Sequence, residues 1–177
     1  MNTVALPQKA IPQEEVIELT RKLHASMDID YHKGTLSGAV YHGGDAHTAM
    51  VNRVMEIFQW TNPLHVDVFG AARKLEAEIV AMVVNLFHGG ACDACGALTS
   101  GGTESIGLAM KSYREMGRAR GIEHPTAVIP ITAHPAFDKA CNYYGIRIIK
   151  VPVGKSCAVD PAELAKYIRS DTVVIVG

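Results

Sequence analysis

Apolar and polar positions recur along this chain with two periods, and the pattern changes near Trp60. Ahead of that point the helical period dominates. Between Pro12 and Met27, Val16, Leu19, Leu23 and Met27 recur three or four residues apart, which predicts one apolar stripe along a helix. Pro12 suits a first turn, where its missing N–H forfeits nothing, and Glu14 and Glu15 complement the positive end of the helix dipole. Asp28 to Asp45 is rich in Gly, His and Tyr, follows neither period and reads as a loop. A second helix follows, with Asp45 as its cap and Met50, Val54, Ile57 and Phe58 on one face, until Pro63 breaks it. The third and longest helix is predicted from about Phe69 to Phe87, with Gly89 and Gly90 supplying the C-cap conformation.

Past Gly90 the pattern becomes regular. A short run, GALTS, leads into a helix from Gly102 to about Arg118. A strand (AVIPI), a helix from Pro135 to Tyr144, a strand (IRIIKV), a helix from Pro161 to Arg169 and a strand (TVVIV) complete the order. Strands alternating with helices in this way predict right-handed βαβ units on a parallel sheet, an α/β class. Val173 to Val176 is continuously apolar, as expected of a strand buried on both faces. The sequence stops one residue later with no helix to cover it, so a sheet completed by further chain is expected.

Composition narrows the function classes. Lys and Arg total 17 against 18 Asp and Glu, a net charge of −1, so no basic excess exists to neutralise a nucleic-acid backbone. With 48% hydrophobic and 20% charged residues the chain is globular in type. Its longest strongly apolar stretch, Ile79 to Phe87, is about half of the ~20 residues a membrane-spanning helix needs. No basic region followed by an apolar run marks the N-terminus as a secretory signal. Without one, Cys92, Cys95, Cys141 and Cys157 are expected to be reduced thiols in a cytoplasmic protein.

The sharpest chemical motif is Thr99-Ser100-Gly101-Gly102-Thr103-Glu104-Ser105 at a predicted strand-to-helix junction. Paired glycines let backbone approach an anion, the N–H groups of the following helix point at it, and the Thr103 and Ser105 hydroxyls can donate. Those are the requirements of a phosphate cradle, though an ordinary glycine turn with a hydroxyl cap satisfies the same spacing. The motif is neither a Walker loop nor a dinucleotide fingerprint. His134 falls just beyond a predicted strand and just before Pro135, hence at the C-terminal edge of a parallel sheet, where α/β proteins bind ligands. An imidazole there could stack on a planar ring, exchange protons, or simply be solvated. Asn62 and His65, in NPLH, are either polar turn residues or donors in a cleft. Tyr31, His32, Tyr41, His42 and His47 crowd a glycine-rich loop that could cover a site; no carboxylate or Cys spacing there completes a metal set. Cys92 and Cys95 form a C-x-x-C after a helix end, where small thiols packed in a turn are the simpler account.

Together these motifs resemble the pyridoxal-phosphate-dependent group II decarboxylase superfamily and, within it, the sphingosine-1-phosphate lyase branch. The likeness is collinear from about Leu36 to Gly177 and rests on SGAVY (37–41), NPLH (62–65), RKLEAEIV (73–80), TSGGTESI, AHPAF (133–137) and VPVGKSCAVD (151–160). It implies the N-terminal part of a fold-type-I large domain, a parallel-rich sheet flanked by helices, over residues 61–177. Residues 1–60 would form a preceding helical segment and active-site loop. It further implies pyridoxal 5'-phosphate as cofactor, with Gly102 and Thr103 at its phosphate and His134 stacked on its ring. Tyr41, Asn62 and His65 would lie in the substrate region, with Tyr41 and His65 touching substrate phosphate or moving a proton. The implied reaction is retro-aldol cleavage of a phosphorylated long-chain base to a long-chain aldehyde and phosphoethanolamine, by a homodimer without a membrane span. Amino-acid decarboxylation within the same superfamily, and a non-catalytic phosphate-binding half-domain, are the alternatives. None of the nine lysines stands in the Asp-x-His-Lys context that holds the cofactor in this family, so the chain alone is expected to be inactive.

Overall fold

The computed structural model describes Ala5 and residues 8–38, 40–91 and 94–177. These fall into two units, Met1–Asn62 and Pro63–Gly177. The first contains α1 (Gln13–Met27) and α2 (Asp45–Phe58), separated by a 3-10 turn at Tyr31–Lys33. Glu14 and Glu15 occupy the first turn of α1, as the dipole favours. The predicted stripe forms on α1, yet Val16, Leu19, Leu23 and Met27 are all exposed, and neither helix buries a residue. Asp45 is the first helical residue and not the cap. Gly44, at φ 90°, precedes the helix, and the Asp45 carboxylate lies 3.4 Å from His42 Nε2.

The second unit contains α3 (Gly70–Leu86), α4 (Gly102–Ala119), β1 (Thr126–Pro130), α5 (Ala136–Tyr144), β2 (Arg147–Val151), α6 (Pro161–Ala165) and β3 (Thr172–Ile175). The three strands form one parallel sheet in the order β2-β1-β3, the layout that α/β alternation predicts. β1 is central and every residue of it is buried. Its side chains alternate between faces as a pleat requires. Ala127 and Ile129 join Met110 of α4 and Ala140 and Cys141 of α5 on one side, while Val128 meets Val151 and Leu164 on the other.

At the N-terminal edge, Asp171 Oδ2 accepts from Thr126 Oγ1 at 2.9 Å and from Arg147 Nη2 at 2.8 Å, tying the starts of all three strands together. This network satisfies the buried hydroxyl of Thr126. Against β3 the register slips by one residue between Thr126 and Ala127, leaving Val173 as an inserted residue that packs on Gly117 of α4.

Four other expectations need correction. GALTS forms no strand: the N–H of Leu98 is committed instead to Glu76 Oε1 of α3 at 3.1 Å, so Thr99–Ser105 is a loop-to-helix junction. The left-handed residue after α3 is His88 (φ 58°), and Gly89 opens a 3-10 turn. A Cβ on Gly89 would lie 3.1 Å from both Ala94 and Val84, so close packing explains that glycine. The last helix ends at Ala165; from Lys166 to Ile168 the backbone makes only i→i+3 bonds. Finally, β3 is the edge strand of the sheet these residues form, and only Val174 in it is buried; residues 63–177 by themselves do not bury Val173 to Val176 on both faces.

Candidate functional site

The N-terminus of α4 is the structural centre of the motif. Gly101 is extended (φ 165°, ψ 171°), and its carbonyl accepts from Glu104 N at 3.0 Å and Ser105 N at 3.1 Å. Gly102 and Thr103 come before those bonds, so their N–H groups belong to the first turn that no intrahelical carbonyl serves. A Cβ added at Gly101 or Gly102 would meet nothing within 4 Å, so open space lies over this backbone. The hydroxyls are organised around it: Thr99 Oγ1 and Ser105 Oγ lie 2.6 Å apart, and Thr99 Oγ1 donates to Gly101 O at 3.2 Å. Glu104 folds back from the helix. Its Oε2 accepts from Ser100 N at 2.6 Å and from Ser100 Oγ at 2.7 Å, and these bonds hold the carboxyl below its usual range.

α4 and α5 lie side by side with their N-termini at the same end of the sheet. Between them runs a groove of about 410 Å³ bordered by Thr103 and Glu104 on one side and Ala136 and Lys139 on the other. His134 stands in the turn between β1 and α5, at the sheet's C-terminal edge as the sequence predicts, and its Nδ1 accepts from Ala136 N at 3.1 Å. The fold thus brings Gly102, Thr103 and His134 to one end of one sheet.

The other candidates stand elsewhere. His65 is exposed on the turn before α3, its carbonyl accepting from Val68 N and Phe69 N. Among the described residues no hydrogen bond or ring contact links its side chain to Gly102, Thr103 or His134. Tyr41, 99% exposed, and Asn62, also exposed, belong to the first unit. In that unit Tyr31, His32 and His42 form a ring cluster with centroids 4.3 to 5.8 Å apart. No group of three metal-binding side chains occurs among the described residues. Cys92 lies outside them, and Cys95 is an exposed free thiol.

Two contacts at the candidate site escape the linear reading. Glu76 anchors the cradle loop through Leu98, across 22 residues, and nothing in the sequence flags that pairing. The bond from Ala136 to His134 joins neighbours in sequence, but only the turn geometry reveals which ring nitrogen is used.

This geometry has close counterparts. Lactobacillus brevis glutamate decarboxylase superposes with a TM-score of 0.75 at 20% identity, covering 99% of this chain and 41% of that one. The chain therefore has the fold of the pyridoxal-phosphate-dependent decarboxylases. The sphingosine-1-phosphate lyase of Burkholderia pseudomallei K96243 superposes with a TM-score of 0.88 at 36% identity, covering 98% of this chain and 42% of that one. Rat sphingosine-1-phosphate lyase 1 is 43% identical over 171 residues, 97% of this chain and 30% of that protein. By sequence and fold together, the chain belongs to the sphingosine-1-phosphate lyase family. It spans about a third of the length of the curated relatives it matches. No protein-family model matches it.

Proposed function

We propose that this chain supplies the phosphate cradle and the ring-facing imidazole of a pyridoxal-phosphate-dependent lyase. The substrates would be sphingoid-base 1-phosphates, cleaved to a long-chain aldehyde and phosphoethanolamine. The observation that carries the reading is the glycine-opened N-terminus of α4 beside His134, at one sheet edge, in a chain 43% identical to rat sphingosine-1-phosphate lyase 1. The residues fit the cofactor: open space lies over Gly101 and Gly102, first-turn N–H groups adjoin it, and the Glu104 carboxylate is turned back onto Ser100. When bound, pyridoxal phosphate supplies an electron sink for the carbanion left as the C2–C3 bond breaks.

The chain's own residues do the holding. Gly102 N–H and Thr103, through N–H and hydroxyl, receive the phosphate at the positive end of an 18-residue helix. His134, at the same sheet edge, would hold the planar ring. Tyr41, Asn62 and His65 orient the substrate, with Tyr41 and His65 contacting its phosphate or taking the proton of its 3-hydroxyl. In this reading residues 1–60 are a helical segment with an active-site loop, and 61–177 the N-terminal half of the cofactor domain. The anchoring Lys, absent in its family context here, comes from another part of a longer protein; this chain alone does not turn over. The setting is cytoplasmic and the enzyme a homodimer; among the described residues no helix is long and apolar enough to cross a membrane.

The test is the intact mass of the native protein before and after borohydride reduction, with aldehyde release from a sphingoid-base phosphate followed in parallel. A pyridoxyl adduct together with aldehyde is expected. Absence of both would overturn the reading, and carbon dioxide released from an amino acid without aldehyde would assign amino-acid decarboxylation instead.

A further inference from the structure

We infer that His134 is a helix cap as well as a ligand-facing ring: its Nδ1 is committed to the N–H of Ala136, so the ring carries its proton on Nε2. It then presents a hydrogen-bond donor, and not a base, at the sheet edge. Ala136 is the first residue of α5, where an N–H has no carbonyl of its own helix to reach. It is also buried, at 5% exposure, so water is a poor substitute and the donor needs a protein partner. His134 Nδ1, at 3.1 Å, is that partner. A ring nitrogen can accept only if it carries no proton, and in a neutral imidazole the proton is then on the other nitrogen. Turning the ring over would set a C–H against Ala136 and leave the buried donor unpaired.

The same chain repeats the device. At α6, in Asp160-Pro161-Ala162, Asp160 Oδ1 accepts from Ala162 N at 2.8 Å. His134-Pro135-Ala136 has the same spacing, with a proline in the middle that brings no N–H of its own to serve. A carboxylate can only accept, so the parallel marks the position as an acceptor's. The consequence narrows the proposed reaction. Placing a proton on Nδ1 would break the cap, so His134 orients and donates, while proton removal falls to Tyr41 or His65. Only the identity of the ligand rests on the function proposed above; the tautomer does not.

Long-range proton–nitrogen NMR correlation on the histidine-labelled chain, at a pH where imidazoles are neutral, tests this directly. The His134 signals are identified by their loss in His134→Gln. A single Nε2–H tautomer is expected; an Nδ1–H tautomer, or the two-tautomer mixture of a solvated ring, overturns the inference. His134→Asn offers a second readout, because its Oδ1 can reach Ala136 N as Asp160 reaches Ala162. Its urea midpoint should match the parent chain while His134→Ala and His134→Gln fall below it; equal midpoints for Asn and Gln would count against the cap. Titration with pyridoxal 5'-phosphate, followed by fluorescence, separates the two readings. Weaker binding by the stable Asn variant supports a ligand-facing imidazole. Unchanged binding alongside an Nε2–H tautomer would remove the ligand role and leave the cap standing.

Discussion

At the residue scale, the site depends on which backbone and side-chain polar groups are free and which are occupied. Gly102 should be replaceable structurally but not functionally, because a Cβ there has no protein atom within 4 Å and enters the space over the first-turn N–H groups. Gly102→Val is expected to weaken pyridoxal 5'-phosphate binding by about tenfold, roughly one lost charge-assisted hydrogen bond, with little change in urea midpoint. Unchanged affinity would move the phosphate away from α4. Glu104 makes a prediction about pH. Its carboxyl is held low by the Ser100 hydroxyl and N–H, so the native state favours the charged form more than the unfolded chain does. That contribution is complete above the unfolded value and is lost as pH falls through the depressed native one. Urea midpoints measured down the acid range should therefore decline less steeply in Glu104→Gln than in the parent chain; superimposable declines would show that the latch contributes nothing.

At the scale of elements, the packing of α4 on β3 is set by one close approach. A Cβ on Gly117 would fall 2.4 Å from Val173 Cγ1, at the residue inserted into β3 by its register slip. Gly117→Ala is expected to cost about 1 to 3 kcal/mol by overpacking, read from chemical denaturation. Adding Val173→Ala should recover most of that loss. Additive costs in the double mutant would show that the two residues are not in contact. The same packing keeps α4 on the sheet and so fixes where Gly102 and Thr103 emerge relative to His134.

At the scale of the whole molecule, the buried core of the described residues lies within one unit. Met110, Ala127, Val128, Ile129, Ala140, Val151, Leu164 and Val174 all fall in Pro63–Gly177, whereas α1 and α2 bury nothing. A chain restricted to residues 63–177 should retain the sheet and a cooperative urea transition, since the apolar burial that drives folding is retained. A non-cooperative melt would show that residues 1–62 support the core. Cofactor binding to the same fragment would further separate the cradle and His134 from the contributions proposed for Tyr41 and Asn62.

The order of helices and strands, the parallel sheet and the position of His134 at its edge were legible in the sequence. Periodicity and βα alternation are local properties, and local chemistry writes them. TSGGTES was legible as a glycine-opened helix start for the same reason, since glycine pairs and hydroxyls act within a few residues of one another. What only the tertiary structure decided concerns partners distant in sequence or choices among equivalent atoms. GALTS looked like a strand, but its N–H at Leu98 found Glu76 and not a neighbouring strand. Val173 to Val176 read as doubly buried, and burial depends on what packs over each face; these residues alone bury only Val174. No pattern of letters specifies which nitrogen of His134 faces Ala136; that follows from the path of the turn between β1 and α5, which requires a buried N–H to be satisfied.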